Sequence, residues 1–173
     1  MRITKDIPWQ AYKDIRIKSI KTNPEAFAST ENDVLKDPDE KWQNYLSKSI
    51  SQDGEVMFFA VDDTLEGEKV VGIVGAFWDD KIKTKHVAHI FGVFVDPEYR
   101  GKGVGSMLFS HLLSKLKAIP QLKKASLEVV ISEIPAINLY KKHGFIEVGT
   151  EKGELYQPEK DSYDDLLVME LVF

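Results

Sequence analysis

The stretch of the 173-residue chain with the most chemical content is Val93-Phe94-Val95-Asp96-Pro97-Glu98-Tyr99-Arg100-Gly101-Lys102-Gly103-Val104-Gly105-Ser106. An apolar run stops at Asp96-Pro97, and glycines follow at 101, 103 and 105. From there Val104, Met107, Leu108, Leu112, Leu113 and Leu116 trace a helical stripe until Pro120. A strand that feeds a glycine turn and then a helix presents the first unpaired helical N–H groups at the positive end of the dipole. Without Cβ atoms, the turn backbone can approach an anion closely. A pyrophosphate fits such a nest; the plain alternative is a tight turn that binds nothing. Other nucleotide patterns do not fit. A dinucleotide fingerprint needs GxGxxG, whereas Leu108 stands where the third glycine belongs, and GxxxxGK[ST] is absent.

Arg100-x-x-Gly103-x-Gly105, after a strand ending Val93-x-Val95 with Pro97 between, resembles the acetyl-CoA motif of the GNAT acetyltransferases. Downstream, Leu127-Glu128-Val129, then Ala136, Leu139-Tyr140 and Gly144-Phe145, are similar to that family's second cofactor-proximal strand and helix, N-x-x-A-x-x-L-Y-x-x-x-G-F. The likeness runs from about Glu55 to the C-terminus. Before that it holds only in general plan, as two helices with Pro24-Glu25-Ala26-Phe27 between them. It implies acetyl-CoA as donor, with the backbone amides of Gly101, Lys102, Gly103, Val104, Gly105 and Ser106 on the pyrophosphate. Main-chain groups of Val93, Phe94 and Val95 would line the pantetheine arm as a strand-like ladder. Arg100 would add positive charge near the phosphates, or pair with Asp96 or Glu98. Glu133 stands where the family commonly has asparagine. The cofactor contact there falls to Glu133, with Ser132 or Asn138 as substitutes; Ser132 equally suits a helix N-cap.

The reaction implied is acetyl transfer to an amine by direct attack in a ternary complex. An alkylammonium with a pKa of about 10.4 is almost wholly protonated at neutral pH, so a carboxylate, imidazole or water relay must accept its proton. The resemblance puts Glu128 first for this role, and His89, eleven residues before Arg100, second. Tyr140 would protonate the departing thiolate, since a phenol of pKa about 10 is a fitting donor to a thiolate whose conjugate acid lies near 8.5. Each has a plain reading too: Glu128 on a solvent face, His89 in the core, Tyr140 on an amphipathic helix. A catalytically silent acetyl-CoA-binding sensor is the alternative function, and the glutamate at 133 is its footing.

The chain has 43% hydrophobic residues and is long enough for one well-packed core, read as one domain over residues 1–173. Cysteine is absent, which excludes a disulfide framework, a thiolate metal site and acyl-cysteine catalysis; no metal is expected. The net charge of −5 and the lack of a basic stripe argue against general nucleic-acid binding and mildly favour a cationic substrate. With no apolar run of signal or membrane-span length, a soluble cytoplasmic protein without membrane attachment is expected.

The positioning elements follow from periodicity. Helices are expected over Trp9–Lys21, Asp39–Ile50, the glycine-led stripe and Pro135–Lys142, the last stopped by Gly144. Strands are expected at Glu55–Val61 and Val70–Trp78 as an antiparallel hairpin, and at His86–Val95 as a central strand buried on both faces. Ser126–Ile131, Phe145–Val148 and Leu166–Val172 complete the set. The fold class is α/β (α+β), with a mixed, mostly antiparallel sheet flanked by about four helices. The family resemblance adds that the sheet splays at the cofactor. It also assigns acceptor recognition, for a small-molecule or peptide amine, to residues 27–31 and 149–165. The last strand could pair across a homodimer.

Overall fold

The computed structural model describes residues 1–51, 54–64 and 67–173. One seven-stranded sheet runs β1-β2-β3-β4-β5-β7-β6. Its strands are β1 (Arg2–Thr4), β2 (Glu55–Asp62), β3 (Lys69–Trp78), β4 (Val87–Val95), β5 (Lys124–Val130), β6 (Ile146–Gln157) and β7 (Ser162–Val172). The helices are α1 (Trp9–Thr22), α2 (Glu31–Leu35), α3 (Asp39–Ser51), α4 (Val104–Lys117) and α5 (Ile134–Lys142). Every strand pair is antiparallel except β4–β5, which α4 joins as a crossover.

Alternation along the strands sorts side chains into two cores. Leu108, Phe109, Leu112 and Leu116 of α4 pack with Tyr140 of α5 against Ala88, Leu127, Val129 and Met169 on one sheet face. On the other face Tyr12, Ile15 and Ile20 of α1 and Trp42 and Leu46 of α3 cover Phe59 and Ile73. These two helices lie over β2, β3 and the Phe94 end of β4, and leave the start of β4 and the same face of β5, β7 and β6 without a helical layer among the described residues.

Several expectations change. Among the described residues there are five α-helices, one more than the four placed from periodicity. The addition is α2, held by a capping box in which Thr30 Oγ1 accepts from the Asp33 N–H at 3.3 Å and Asp33 Oδ2 accepts from the Thr30 N–H at 3.0 Å. β4 is central but not buried on both faces: its His89 side is exposed, because α1 and α3 stop short of it. The last two strands are longer than expected, so residues 149–165 form a hairpin arm rather than a loop. β7 lies between β5 and β6 with both edges paired, so it is not free to pair across a dimer. Among the described residues, no helix is long and apolar enough to cross a membrane.

Candidate active site

β4 and β5 pair only at their starts, Val87 with Lys124, Ala88 with Ala125 and His89 with Ser126. Beyond these the strands part, since β5 stays with β7 while β4 stays with β3. A bulge sharpens the divergence: the β3–β4 register shifts between Ile73 and Gly75, and Gly92 sits at φ +64°. The edge of β4 from Ile90 to Val95 is thus left without a strand on the β5 side, which is the expected splay.

At the wide end of this gap the chain turns through a 3₁₀ segment at Pro97–Tyr99, where Asp96 Oδ1 accepts from the Glu98 N–H at 3.2 Å. Gly101 and Gly103 take φ of +73° and +82°, the left-handed region glycine tolerates best, and a Cβ on either would meet nothing within 4 Å. Gly103 caps α4, whose first backbone bond runs from the Met107 N–H to the Gly103 carbonyl at 3.0 Å. The N–H groups of Val104, Gly105 and Ser106 therefore have no acceptor among the described residues. Lys102 is exposed, its ammonium 5.2 Å from the Tyr99 ring centre.

Arg100 resolves one alternative. Its Nε donates to the Val95 carbonyl at 3.0 Å and a terminal nitrogen donates to Asn23 Oδ1 at 2.6 Å. It pairs with neither Asp96 nor Glu98, because Lys18 and Lys69 hold Asp96 at 2.5 and 3.6 Å and Lys69 holds Glu98 at 3.2 Å. Ser106 Oγ lies 3.0 Å from His143 Nε2, in a hydrogen bond whose direction follows the ring tautomer. Burial and neighbouring Lys142 hold His143 below the usual imidazole range. The Val93 and Val95 side chains pack on the α4 side of the sheet, and Phe94 is buried under α1.

Tyr140 is 5% exposed, its ring 5.2 Å from Phe109 and 6.3 Å from Phe145. Its hydroxyl has no hydrogen-bond partner among the described residues. Burial first, and the Glu133 carboxylate second, push the phenol well above its ordinary pKa. Glu133, not Ser132, is the N-cap of α5, and it makes no side-chain capping bond. Burial and the neighbouring Glu25 carboxylate raise Glu133, against the opposing pull of Arg100. Asn138 and Ser132 are exposed.

Alternation in β5 buries Leu127 and Val129 and turns Glu128 to the uncovered face. His89 is on that face too. It is no core histidine: it is exposed, and its ring stacks on Phe77 at 5.2 Å and 21°. Partial burial and Glu151 raise the Glu128 carboxyl, the nearby His89 lowers it, and Glu154 raises it slightly. Glu128 and His89 therefore stand within electrostatic reach of each other where the strands part.

The model of the acetyltransferase (GNAT) family matches residues 19–145, from the end of α1 through α5. The chain belongs to the GNAT family. It is 26% identical over 168 residues to the ribosomal protein bS18 alanine N-acetyltransferase of Escherichia coli, covering 97% of this chain and 92% of that one. It is 34% identical over 122 residues to an uncharacterized N-acetyltransferase of Methanocaldococcus jannaschii, 66% of this chain and 50% of that one. An acetyltransferase of the GNAT family from Streptococcus pneumoniae superposes with a TM-score of 0.82 at 25% identity, over 99% of both chains. This GNAT protein is accordingly an N-acetyltransferase, an enzyme that moves an acetyl group to an amine.

Further residues beside the gap lie outside the two motifs. Gln157, on the hairpin arm, donates to the Glu25 carbonyl at 3.2 Å and to Asp164 Oδ2 at 2.8 Å. It thereby ties the α1–α2 connection to the arm across the mouth of the gap. Phe77 and Glu151 lie on the uncovered face by the pairing register, and Glu154 stands in the irregular stretch after Glu151. On the outer side of α4 an open depression of about 620 Å³ runs from Gly103 and Ser106 past Met107 and Ser110 to Lys142.

Proposed function

We propose that this enzyme transfers the acetyl group of acetyl-CoA directly to a primary amine within a ternary complex. One observation supports the reading most: β4 and β5 part past His89 beside the start of α4, whose first three N–H groups have no acceptor among the described residues. The N–H groups of Val104, Gly105 and Ser106, with the open flanks of Gly101 and Gly103, suit a pyrophosphate. The depression ending at Lys142 suits the nucleotide end, with the ammonium as a phosphate partner. The free edge of Val93, Phe94 and Val95 suits the amide groups of the pantetheine arm. The Val95 carbonyl already accepts from Arg100, so Arg100 orders that edge as well as adding charge beside the phosphates.

When bound, acetyl-CoA supplies an activated thioester carbonyl. Glu128, raised above the usual carboxylate range, accepts the ammonium proton directly or through one water, and the neutral amine attacks. A C–N bond forms and the C–S bond breaks; the Tyr140 phenol gives its proton to the thiolate and regains one from the nitrogen that has attacked, and Glu128 releases the proton it took to solvent. The products are the amide, CoA thiol and one net proton. His89 stands near Glu128 and lowers its carboxyl against the larger upward effects of burial and Glu151.

CoA release with a panel of polyamines, amino acids, aminoglycosides and short peptides, beside calorimetry of acetyl-CoA, tests the reading. Amine-dependent release is expected. Tight binding without release on any amine would instead mean a sensor, and no binding would overturn the assignment of the α4 nest.

A further inference from the structure

Two helix ends meet at Ser106. It is the third residue of α4, inside the turn that suits a pyrophosphate, and its Oγ lies 3.0 Å from Nε2 of His143, the C-cap of α5. The His143 ring rests on Phe109, three residues further along α4, with ring centres 5.3 Å apart. Its backbone N–H donates to the Leu139 and Tyr140 carbonyls at 3.3 and 3.0 Å. Backbone and ring are both held, so Nε2 is fixed against the hydroxyl.

A serine hydroxyl has one proton to give, and the state of the ring decides where it goes. When Nε2 of a neutral ring is the acceptor, Ser106 spends its proton inward and only lone pairs are left to face the nest. An imidazolium reverses the bond: Nε2–H donates to Oγ, and the hydroxyl is free to donate outward. The surroundings favour the neutral ring while the nest is empty. The α4 face against the ring brings Ser106 and Phe109, neither of them charged, α5 brings the Lys142 ammonium, and no carboxylate acts on the ring among the described residues. The positive end of α4 opposes an imidazolium as well, while the negative end of α5 favours it. What the imidazolium lacks is an anion close by.

We propose that His143 is a positioning residue for the donor, acting through Ser106. When a pyrophosphate enters the nest, the ring takes a proton from solvent, Nε2–H donates to Ser106 Oγ, and the Ser106 hydroxyl donates to a phosphate oxygen. The role rests on the α4 nest being the pyrophosphate site. Binding then takes up a proton, so affinity rises as pH falls through the titration of the ring and levels off above it. An opposite charge within about 4–6 Å moves a titration by about 1–3 units; with a hydroxyl in between the low end applies, about one unit, which is about tenfold in affinity.

The probe is dephospho-CoA, which keeps the pyrophosphate but lacks the 3′-phosphate of CoA, a monoester that itself titrates near pH 6. Calorimetry between about pH 8 and pH 5.5 reads its affinity for the wild type, His143→Gln and Ser106→Ala, with melting temperatures alongside. The chain has four histidines, and NMR follows the His143 ring, assigned by its loss in His143→Gln. Expected for the wild type is an affinity about five- to tenfold higher at the acidic end, with the ring titrating about one unit higher in the complex than in the free protein. His143→Gln, which keeps a hydrogen-bonding group but does not titrate, should give a flat profile with its melting temperature retained, and Ser106→Ala should lose most of the ring's shift. A flat wild-type profile, an equal slope in His143→Gln, a ring unmoved by the ligand, or a full shift in Ser106→Ala would each overturn the role of His143 while leaving the nest in place. If His143→Gln does not fold, the ring titration followed in the wild type and in Ser106→Ala, with assignment by the latter's altered signal, decides by the same criteria. If neither CoA nor dephospho-CoA binds, the reading of the nest falls and this role falls with it.

Discussion

Replacing Tyr140 with phenylalanine separates catalysis from packing, because the structure gives the two effects different signs. The ring contributes to the core through Phe109 and Phe145, and both contacts survive the change. The hydroxyl makes no hydrogen bond among the described residues, so no buried partner there is orphaned by its loss. The usual cost of removing half of a buried pair, about 1–3 kcal/mol, does not arise. Stability should stay within about 1 kcal/mol of the wild type, a shift of no more than about 2–4 °C in a domain of this size, and upward if anything. Turnover, in contrast, loses its proton donor, for which general acid catalysis sets a penalty of about 10²- to 10⁴-fold in kcat. Acetyl-CoA affinity should hold, since the nest and the β4 edge lie elsewhere. Burial and Glu133 raise the phenol, so it remains protonated through the working range, and an alkaline fall in rate should not be assigned to it. The assay is CoA thiol release with a saturating amine, beside thermal unfolding. A variant with wild-type kcat, or one whose lost rate is matched by a melting-temperature drop beyond about 5 °C, would refute the reasoning.

Glu128→Gln should lower kcat/KM by about 10²- to 10⁴-fold with acetyl-CoA affinity retained, as read by the same release assay and by calorimetry. Because Glu128 must be deprotonated and is raised, activity should be lost as pH falls through a value above the ordinary carboxylate range. His89→Ala removes a neighbour that lowers it, and should move that acidic limb further upward in a pH–rate profile. Gly103→Ala forces a Cβ into φ +82° and should cost about 1–2 kcal/mol, seen as a lower melting temperature, along with weaker acetyl-CoA binding. Burial raises Asp96, but the Lys18 ammonium, the Glu98 N–H and Lys69 outweigh it, so the net shift is downward. Its contribution is full above the unfolded value of about 3.9 and is lost as pH falls through the lower folded value. Asp96→Asn should therefore destabilise by about 1–3 kcal/mol at neutral pH and by less in strong acid, as denaturant titrations at the two pH values would show.

The cofactor half of the site was legible because it is local. A strand, three glycines and an amphipathic helix in sequence order specify the nest, and Gly103 and the packing of Leu108 and Leu112 follow from the pattern alone. The acceptor half is not local. Glu151 and Glu154 read as loop residues, because β6 is exposed along nearly its whole length and shows no apolar alternation; only pairing with β7 makes it a strand. His89, the second candidate base, could not be told from a core histidine in an apolar strand, and the helices that would have buried it cover β2 and β3 instead. Ser132 looked like the cap of α5, but the turn closes one residue later, at Glu133. No motif marks Glu25 and Gln157, whose contact spans 132 residues.

That last contact bears on how the enzyme could change its acceptor. Because one amide holds both sides of the cleft mouth, neither side is an independent module. Grafting a hairpin arm from a relative would strand the Glu25 carbonyl, and reshaping the connection at Pro24–Ala26 would release the arm. New acceptor preferences should therefore arise through paired changes in these two distant stretches of sequence, while the donor side, built from contiguous residues, can be inherited unaltered.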